Sequence, residues 1–473
     1  MKAQGHIHKV QATTGASAGK SFIHIGHENW NLVLHMMLGI RQSVRNVMHE
    51  EHFEIIDEDF ERKYVYELVA KKTYNMRLFT FLDFSPRVFH LIRTMFGISP
   101  DDYLKSIGPE NLIGNLLMGN ISSLQEQSST GKSGSFFYYT ADQNFMLKTI
   151  SSTEFHHLRH IMKDYYEHLV TYPHSLITRF FGLHKIKYKN ATLAGKVRIY
   201  FVIMANVFKT ARDIHVRYDL KGSKQGRRTK KKPDDYVDSS VALKDLDFSD
   251  SREKIRVDPD IAKALIQQME DDAHLFQRLN INDYSLLLGI HRFKSKEEAT
   301  HIRRVSPNIN QFIKNSFKFK DQISNAQQPL LKSLPSFGTQ STLNDKVLGH
   351  RQSLVQYSTS EIMRPPIPFY ETHDGGILSS DGKCLYFIGI IDTLTLFGPK
   401  KQMEYTLKSL RYGNKTISCI PPHAYGERFI SFMKTLFDTS LDSLGQDSKY
   451  LSSNGAQQLQ DDDESLLSLA DQE

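Results

Sequence analysis

The chain contains little cysteine, no long apolar run and no residue spacing that is typical of a zinc site. Its 473 residues include only Cys384 and Cys419, which argues against a disulfide framework and favours a reducing compartment. No apolar run approaches the roughly 18 to 20 residues of a membrane-spanning helix, and the polar start MKAQGHIHKVQ lacks the apolar segment of a signal peptide. No internal repeat or nucleic-acid-binding module is recognisable. These absences predict a soluble intracellular protein that does not bind nucleic acid.

Charged residues are unevenly distributed along the chain. They make up 24% of the residues, apolar residues make up 40%, and the formal net charge is +7, as is ordinary for a globular protein. The segments GRRTKKKP and FGPKKQMEYTLKSLRYGNK are basic, whereas the end, LQDDDESLLSLADQE, is acidic. Basic segments attract nucleic acid, anionic lipid or a phosphorylated substrate, and many are only solvated surface. Composition leaves the choice among these open.

Local patterns predict helices and strands over much of the chain. The apolar spacing of NWNLVLHMMLGIRQSVRNV predicts an amphipathic helix, and FTFLDFSPRVFHLIRTMFGIS predicts a strand and then a helix that starts at Ser85 and Pro86. Buried strands are predicted in RIYFVIMANVF and KCLYFIGIIDTLTLF, and a helix that begins at an aspartate in DPDIAKALIQQMEDDAHLFQRL. Polar composition predicts disorder in residues 1–25, in an insert over 294–366 and in a tail over 438–473.

The stretch SSTGKSGSFFYYTADQNFMLKTI has glycines, a GKS triplet and a lysine within an apolar run. A Walker loop requires glycine at the position of Glu126, so that pattern fails. Aromatic and apolar residues on both sides of Ala141–Gln143 predict a strand, a turn and a second strand. Lys148 lies in the second strand, where an ammonium group is costly unless it meets an anion such as a nucleotide phosphate. A lysine on an edge strand whose ammonium reaches water stays an open alternative.

The strings that mark a protein kinase, H-R-D-L-x-x-x-N, D-F-G and A-P-E, are absent. Phosphoryl transfer would still require carboxylates for a metal ion and near the attacking hydroxyl group. Asp283 in INDYSLLLGIH and Asp392 in YFIGIIDTLT each stand beside an apolar, strand-like run. A carboxylate there is desolvated unless it is paired. Taken singly, each aspartate is better explained as a structural cap.

Together, the segments SGSFFYYT, FMLKTI, YDLKGSKQGR, INDYSLLLGIH and FIGIIDTLT resemble, in this order, the phosphatidylinositol phosphate kinases. The resemblance covers residues from about Trp30 to about Thr435, with the insert as an interruption. It implies an α+β fold with two lobes: an antiparallel N-lobe sheet with helices over residues 26–205, and a smaller mixed C-lobe over 206–437. The C-lobe would include the insert and a specificity loop over residues 393–421.

The resemblance also implies roles for individual residues, with ATP and Mg²⁺ as cofactors. Asp283 matches the catalytic aspartate near the substrate hydroxyl, and Asp392 matches the magnesium-binding aspartate. Lys148 matches the lysine that reaches the α- and β-phosphates, and Glu154 matches its partner. Gly134 and Ser135 match the turn that covers the nucleotide, and Met204 to Asn206 match the segment that lies against adenine. Lys221, Arg227 and Arg228 match cations on the substrate side.

The segment after Asp392 resembles the specificity loop of the family. Lys400 and Lys401 match paired lysines that bind the anionic lipid surface, and the spacing over residues 400–410 permits an amphipathic helix with Met403 and Leu407 on one face. A solvated loop is the alternative. Glu404 matches an acidic residue of the 5-kinases, whereas the 4-kinases carry alanine. Three residues depart from the family pattern: Asn282, Gln402 and Tyr405.

The expected activity is transfer of a phosphate group from ATP to the 5-hydroxyl of phosphatidylinositol 4-phosphate, closest to the type I enzymes. Alternatives are a 4-kinase acting on phosphatidylinositol 5-phosphate, an inactive membrane-binding scaffold and a protein kinase. The expected partner is an anionic membrane lipid, and the expected location is cytoplasmic, on the inner face of the plasma membrane. Related enzymes dimerise, but no stretch of this chain decides whether it does. Regulatory partners are not indicated.

Overall fold

The computed structural model describes residues 21–22, 29–48, 55–68, 79–109, 125–128, 136–188, 198–229, 241–295, 376–412 and 419–438. Most of the predicted disordered segments, together with Gly134 and Ser135, lie outside these ranges. The chain divides into two compact units. Unit 1 holds the described residues up to Glu167 and Thr178–Lys209, and unit 2 holds His168–Ile177 and the described residues from Thr210 onward. The lobe boundaries expected from the sequence stay a prediction.

Unit 1 is built on an eight-stranded sheet in which every neighbouring pair is antiparallel. The strand order is β1-β4-β5-β6-β8-β7-β3-β2. Apolar and aromatic residues dominate its central strands, as the sequence pattern predicted. The strands are β1 (Ser21–Phe22), β2 (Lys63–Leu68), β3 (Phe79–Phe84), β4 (Gln125–Ser128), β5 (Phe136–Tyr139), β6 (Phe145–Ile150), β7 (Phe180–Tyr188) and β8 (Arg198–Ala205).

Helices pack on this sheet through their apolar residues. The predicted amphipathic helix is confirmed as α1, whose Gly39 approaches the Phe81 ring so closely that a Cβ atom would lie 1.9 Å from it. The predicted start at Ser85 and Pro86 is also confirmed, since Pro86 is the first residue of α3. The boundary between the units falls within α6. The helices are α1 (Trp30–Met48), α2 (Asp57–Glu61), α3 (Pro86–Met95), α4 (Pro100–Ile107), α5 (Ser152–His160) and α6 (Met162–Thr171).

Unit 2 has a smaller, mixed sheet of five strands in the order β10-β9-β11-β13-β12. Strands β9 and β10 are parallel, and the other neighbouring pairs are antiparallel. The strands are β9 (Val216–Leu220), β10 (Ala242–Leu243), β11 (Ser285–Arg292), β12 (Ile377–Leu378) and β13 (Cys384–Ile391). The helices are α7 (Asp245–Ser251), α8 (Pro259–Arg278), α9 (Pro399–Tyr412) and α10 (Pro422–Leu436). Two sheets of these kinds, with helices, confirm the expected α+β kinase-type fold.

An aromatic cluster in the core of unit 2 supports the segment that precedes β11. The ring of Tyr284 is 4.5 Å from Phe276 of α8, and 4.7 Å and 5.0 Å from Tyr425 and Phe429 of α10. The Tyr425 hydroxyl also donates a hydrogen bond to the Tyr284 carbonyl. Buried aromatic rings with a satisfied hydroxyl give rigid packing. The backbone on either side of Tyr284, including Asp283, is therefore held in place by α8 and α10.

No helix in the described ranges is long and apolar enough to cross a membrane.

Candidate active site

Lys148 lies in a central strand of unit 1. Strand β6 pairs with β5 on one side and β8 on the other, so that Lys148 is opposite Phe137 and Val202. The alternative of an edge-strand lysine is therefore wrong, and the predicted strand, turn and strand are confirmed. The half-buried ammonium lies 5.3 Å from the centroid of the Phe137 ring, within the range of a cation–π contact. Its binding of nucleotide phosphate stays a prediction.

The turn between β5 and β6 is tied to the segment that follows β8. Asn206 donates through Nδ2 to the Gln143 carbonyl at 2.8 Å and to the Phe208 carbonyl at 3.2 Å. Its Oδ1 accepts from the Phe208 amide at 3.0 Å. Met204, at the end of β8, is buried. Asn206 thus organises the segment that the sequence assigned to adenine, although contact with adenine stays a prediction.

Glu154 caps the helix in which it lies. Its Oε2 accepts a hydrogen bond from the Ser151 amide at 2.8 Å, and the Ser151 hydroxyl accepts from the Glu154 amide at 3.2 Å. This reciprocal pair is a capping box, which satisfies two amides at the start of α5. The signal was present in the sequence as Ser-x-x-Glu before an apolar residue. The pairing of Glu154 with Lys148 stays a prediction.

Asp283 is held between two lysines that come from different parts of unit 2. Lys221, which follows β9, places its Nζ 2.6 Å from the Asp283 carbonyl and 3.2 Å from its Oδ1. Lys401 of α9 places its Nζ 2.9 Å from Oδ2. Burial raises the pKa of the Asp283 carboxyl, but the charges of Lys221 and Lys401 outweigh burial and hold the pKa below its usual value. Asp283 is therefore an ionised carboxylate with a cation on each oxygen, and its catalytic role stays a prediction.

Glu404 extends this charge network along α9. Its Oε2 lies 3.2 Å from Lys401 Nζ and its Oε1 lies 2.5 Å from Lys408 Nζ. Burial raises the pKa of Glu404, but hydrogen bonds and charges from Lys408 and Lys401 bring it below the usual value. Glu404 thus contacts the same lysine that contacts Asp283. Glu404, which was assigned to subtype preference, is therefore linked through Lys401 to Asp283, which was assigned to catalysis.

The segment predicted as either an amphipathic helix or a solvated loop is the helix α9. The side chains of Met403 and Leu407 are 67% and 64% exposed, although both are large and apolar. They are four residues apart and therefore on one face of the helix. Lys400 is also exposed to solvent. The helix thus presents an apolar pair and a cation outward, while Lys401 points to Asp283.

Asp283 and Asp392 share an unusual backbone conformation. Their φ angles are 64° and 59°, in the left-handed region that residues other than glycine enter rarely and often at functional sites. The segments that carry them run side by side, because the Asn282 amide donates to the Thr395 carbonyl at 3.0 Å and the Phe397 amide donates to the Asn280 carbonyl at 2.9 Å. Asp283, just before β11, and Asp392, just after β13, therefore lie on two segments of unit 2 that are joined by hydrogen bonds.

Asp392 is exposed directly after β13. Within the described part of the chain, no group of three or more His, Cys, Asp or Glu residues could hold a metal ion by itself. Mg²⁺ in phosphoryl-transfer sites binds one or two carboxylates and completes its coordination with water and substrate phosphates. An accessible carboxylate on an ordered turn fits such a magnesium ion better than a permanently bound metal.

Arg227 and Arg228 occupy different environments. Arg227 is 8% exposed, with Nε 2.6 Å from Asp245 Oδ2 and Nη2 2.9 Å from Asp219 Oδ1. Arg228 is on the surface and is paired with Asp250. The Arg227 guanidinium is thus engaged by carboxylates within the protein. The contact of either arginine with a lipid phosphate stays a prediction.

Asp245 was not identified from the sequence. Its carboxylate is 2% exposed and accepts hydrogen bonds from the amides of Lys221 and Gly222, at 2.9 Å and 2.7 Å, and from Arg227 Nε. These partners are 18 to 24 residues away in the chain, and no motif marks such a contact. Only the fold reveals that the first residue of α7 holds the loop after β9.

Comparison with known proteins gives one consistent family. A model of the family described as phosphatidylinositol-4-phosphate 5-kinase matches residues 118–436. The chain is 32% identical to a phosphatidylinositol 4-phosphate 5-kinase of Plasmodium falciparum, over 87% of this chain and 21% of that protein. It is 33% identical to a probable phosphatidylinositol phosphate kinase of Dictyostelium discoideum, over 88% of this chain and 59% of that protein.

A third relative is phosphatidylinositol 4-phosphate 5-kinase 5 of Arabidopsis thaliana, which is 32% identical over 87% of this chain and 50% of that protein. The chain therefore spans between about a fifth and about three fifths of the length of these three relatives.

Proposed function

The chain belongs to the phosphatidylinositol-4-phosphate 5-kinase family, and on that premise we propose that it is an ATP-dependent lipid kinase. The reaction is transfer of the γ-phosphate of ATP to the 5-hydroxyl of phosphatidylinositol 4-phosphate at a membrane surface, which yields phosphatidylinositol 4,5-bisphosphate. The names of the Plasmodium and Arabidopsis relatives support the substrate and the position of transfer.

The contact of Lys401 with Asp283 is the observation that carries this proposal. A carboxylate that is to accept a proton from a hydroxyl group must be ionised and fixed within hydrogen-bonding reach of that proton. The lysines on Asp283 keep it ionised, and the aromatic packing around Tyr284 fixes its backbone. Lys401 also places a cation beside the carboxylate, where the phosphate of a phosphorylated inositol ring requires one.

The chemistry assigned to the protein groups is an in-line displacement. The inositol hydroxyl oxygen attacks the γ-phosphorus as the bond from that phosphorus to the ADP oxygen breaks, and Asp283 accepts the hydroxyl proton. Lys148 is assigned to the nucleotide phosphates, where its charge offsets theirs. Asp392 is assigned to hold Mg²⁺, which when bound would neutralise charge on the phosphate oxygens. Lys221 keeps Asp283 oriented through the carbonyl and one carboxylate oxygen.

Helix α9 is assigned to the lipid surface. Burial of exposed apolar side chains such as Met403 and Leu407 in the acyl region is favourable by about 1.5–3 kcal/mol for each fully buried residue. A lysine near an anionic surface adds about 1 kcal/mol, and Lys400 is exposed for such a contact. Glu404 supports the 5-kinase assignment, because the 4-kinases of the family carry alanine at this position.

The test is phosphate transfer from ATP and Mg²⁺ to liposomes that contain either phosphatidylinositol 4-phosphate or the 5-phosphate. We expect transfer to the 4-phosphate, and loss of that transfer in Asp392→Asn with liposome binding unchanged. Preference for the 5-phosphate would instead make the protein a 4-kinase. Binding to liposomes without transfer to either lipid would indicate a scaffold and refute the proposed activity.

A further inference from the structure

The loop after β9 is held by one buried carboxylate. Asp245 Oδ1 accepts the amide hydrogens of both Lys221 and Gly222, at 2.9 Å and 2.7 Å, while Oδ2 binds Arg227 Nε at 2.6 Å. Gly222 has a φ of 70°, and a Cβ atom on it would lie 3.0 Å from the Phe432 side chain. The backbone of Lys221 is therefore fixed both by hydrogen bonds to Asp245 and by close packing on α10.

A fixed backbone matters here because of what the Lys221 side chain contacts. Its ammonium group donates to the carbonyl and to Oδ1 of Asp283, and the side chain is only 12% exposed. A lysine side chain has four rotatable bonds and loses conformational entropy when it is ordered. The ammonium group stays at Asp283 only where the Cα atom of Lys221 is held at a constant distance from Asp283. The hydrogen bonds of the Lys221 and Gly222 amides to Asp245 hold it there.

We propose that Asp245 is a positioning residue for phosphoryl transfer: it holds the loop that places the Lys221 ammonium on Asp283. This inference rests on the proposed function, in which Asp283 accepts the proton of the lipid hydroxyl. Asp245 is 2% exposed and so is not open to a substrate, and none of its described hydrogen bonds reaches Asp283. Its effect reaches Asp283 through Lys221, and the contact with Arg227 keeps the Asp245 carboxylate oriented.

Other charged and titratable groups also face Asp283. They are Lys401 of α9, at 2.9 Å, Cys419, and Tyr425 and Arg428 of α10, and the charge of Asp283 affects the titration of each. Lys401 shares none of the described contacts of Asp245, whereas the charge of Arg428 interacts with that of Asp245. Loss of the Asp245 charge would by itself favour the ionised form of Asp283 and move the acid limb to lower pH, so that a movement to higher pH reports on Lys221.

Asp247 offers a matched control. It is 8% exposed, lies on the same helix and accepts two backbone amides, from Thr229 at 2.9 Å and Lys244 at 3.0 Å. It makes none of the described contacts of Asp245 with Lys221 or Gly222. Asp247→Ala therefore disturbs the same helix and the end of the same loop, but leaves the support of Lys221 intact.

The experiment compares Asp245→Ala, which removes the oxygen that accepts the Lys221 and Gly222 amides, with Asp247→Ala in the full chain, by pH–rate profile on phosphatidylinositol 4-phosphate liposomes. We expect Asp245→Ala to lower kcat tenfold or more, to change KM for ATP less than twofold, and to move the acid limb to higher pH. Asp247→Ala keeps the acid limb of the wild type. Equal limbs in the two variants would overturn the inference, because loss of folded protein alone lowers the amplitude and leaves the limb in place.

A second readout does not depend on activity. Brief acetylation with acetic anhydride, followed by mass spectrometry, measures how well each lysine is protected. We expect Lys221 to be acetylated at least fivefold faster in Asp245→Ala than in the wild type or in Asp247→Ala. Unchanged protection of Lys221 overturns the inference, whether or not the wild type transfers phosphate. Absence of phosphate transfer by the wild type refutes only the proposed function. If Asp245→Ala does not fold, Asp245→Glu is used, because it keeps a charge for Arg227 but displaces the oxygens from the two amides.

Discussion

Replacement of Lys401 by methionine separates the role of this lysine at Asp283 from a role at the lipid surface. Lys401 Nζ lies 2.9 Å from Asp283 Oδ2, and the two side chains are 23% and 21% exposed. A hydrogen bond between charged groups contributes about 1.5–3 kcal/mol, whereas a fully exposed ion pair contributes about 0.2–1 kcal/mol. Because this pair is mostly but not fully buried, we take about 1.5–2 kcal/mol, or about 10- to 30-fold in rate at 1.4 kcal/mol per factor of ten.

The matched control is Lys400→Met. It removes the same charge one residue away, from a side chain exposed to solvent. On a short-chain phosphatidylinositol 4-phosphate that stays monomeric in water, we expect kcat/KM to fall about 10- to 30-fold in Lys401→Met and less than twofold in Lys400→Met. On anionic liposomes, we expect Lys400→Met to lower the binding affinity about fivefold, which corresponds to about 1 kcal/mol per surface cation.

The pH dependence has a definite direction. The pKa of Asp283 lies below its usual value because Lys221 and Lys401 outweigh the effect of burial. Loss of Lys401 raises this pKa, so that Asp283 becomes protonated at a higher pH and the acid limb of kcat/KM moves upward. Lys400→Met leaves the limb in place. Equal losses for the two variants on the short-chain lipid, with no movement of the acid limb, would refute the proposed role of Lys401.

Two further predictions concern the loop after β9 and the outer face of α9. Gly222 and Gly226 both have φ near 70°, but only at Gly222 would a Cβ meet neighbours, with Phe432 at 3.0 Å. We expect Gly226→Ala to lower the free energy of unfolding in urea by about 1–2 kcal/mol, the cost of the left-handed conformation. Gly222→Ala should lower it further, because its Cβ would also meet Phe432. Equal losses in the two variants would show that this packing is unimportant. The double substitution of Met403 and Leu407 by serine should weaken binding to anionic liposomes at least tenfold without a change in thermal stability, and unchanged binding, measured by co-sedimentation, would remove α9 from the lipid surface.

The secondary structure of the chain was largely predictable, because the patterns that specify it are local. Helix α1 follows from apolar spacing, α3 from Pro86 at its start, and the central strand β6 from an apolar run in which Lys148 is the exception. Local patterns were ambiguous only where charge and apolar residues alternate. The segment over residues 400–410 is such a case, since its sequence was consistent with both a loop and a helix. In the structure it forms the helix α9.

Charged residues were harder to assign, because a sequence shows a charge and not its partner. Glu154 caps its own helix through Ser151, which a Ser-x-x-Glu pattern indicates. Arg227 resembled a cation for lipid phosphate, yet its guanidinium lies between Asp219 and Asp245. Burial of an arginine costs free energy unless polar partners compensate the loss of water, and at Arg227 those partners include two carboxylates. Nothing in the local sequence states that these carboxylates are at hand.

The sequence by itself determined the family and the order of the strands and helices along the chain, and it gave candidates for the reactive side chains, because motifs and periodicity are properties of neighbouring residues. Only the tertiary structure decided which charges meet. Asp283 is 62 residues from Lys221 and 118 residues from Lys401 along the chain, and these three residues come together because β9, β11 and α9 converge at one end of the second sheet. An electrostatic interaction depends on distance and burial, and both are set by the folded chain rather than by its sequence order.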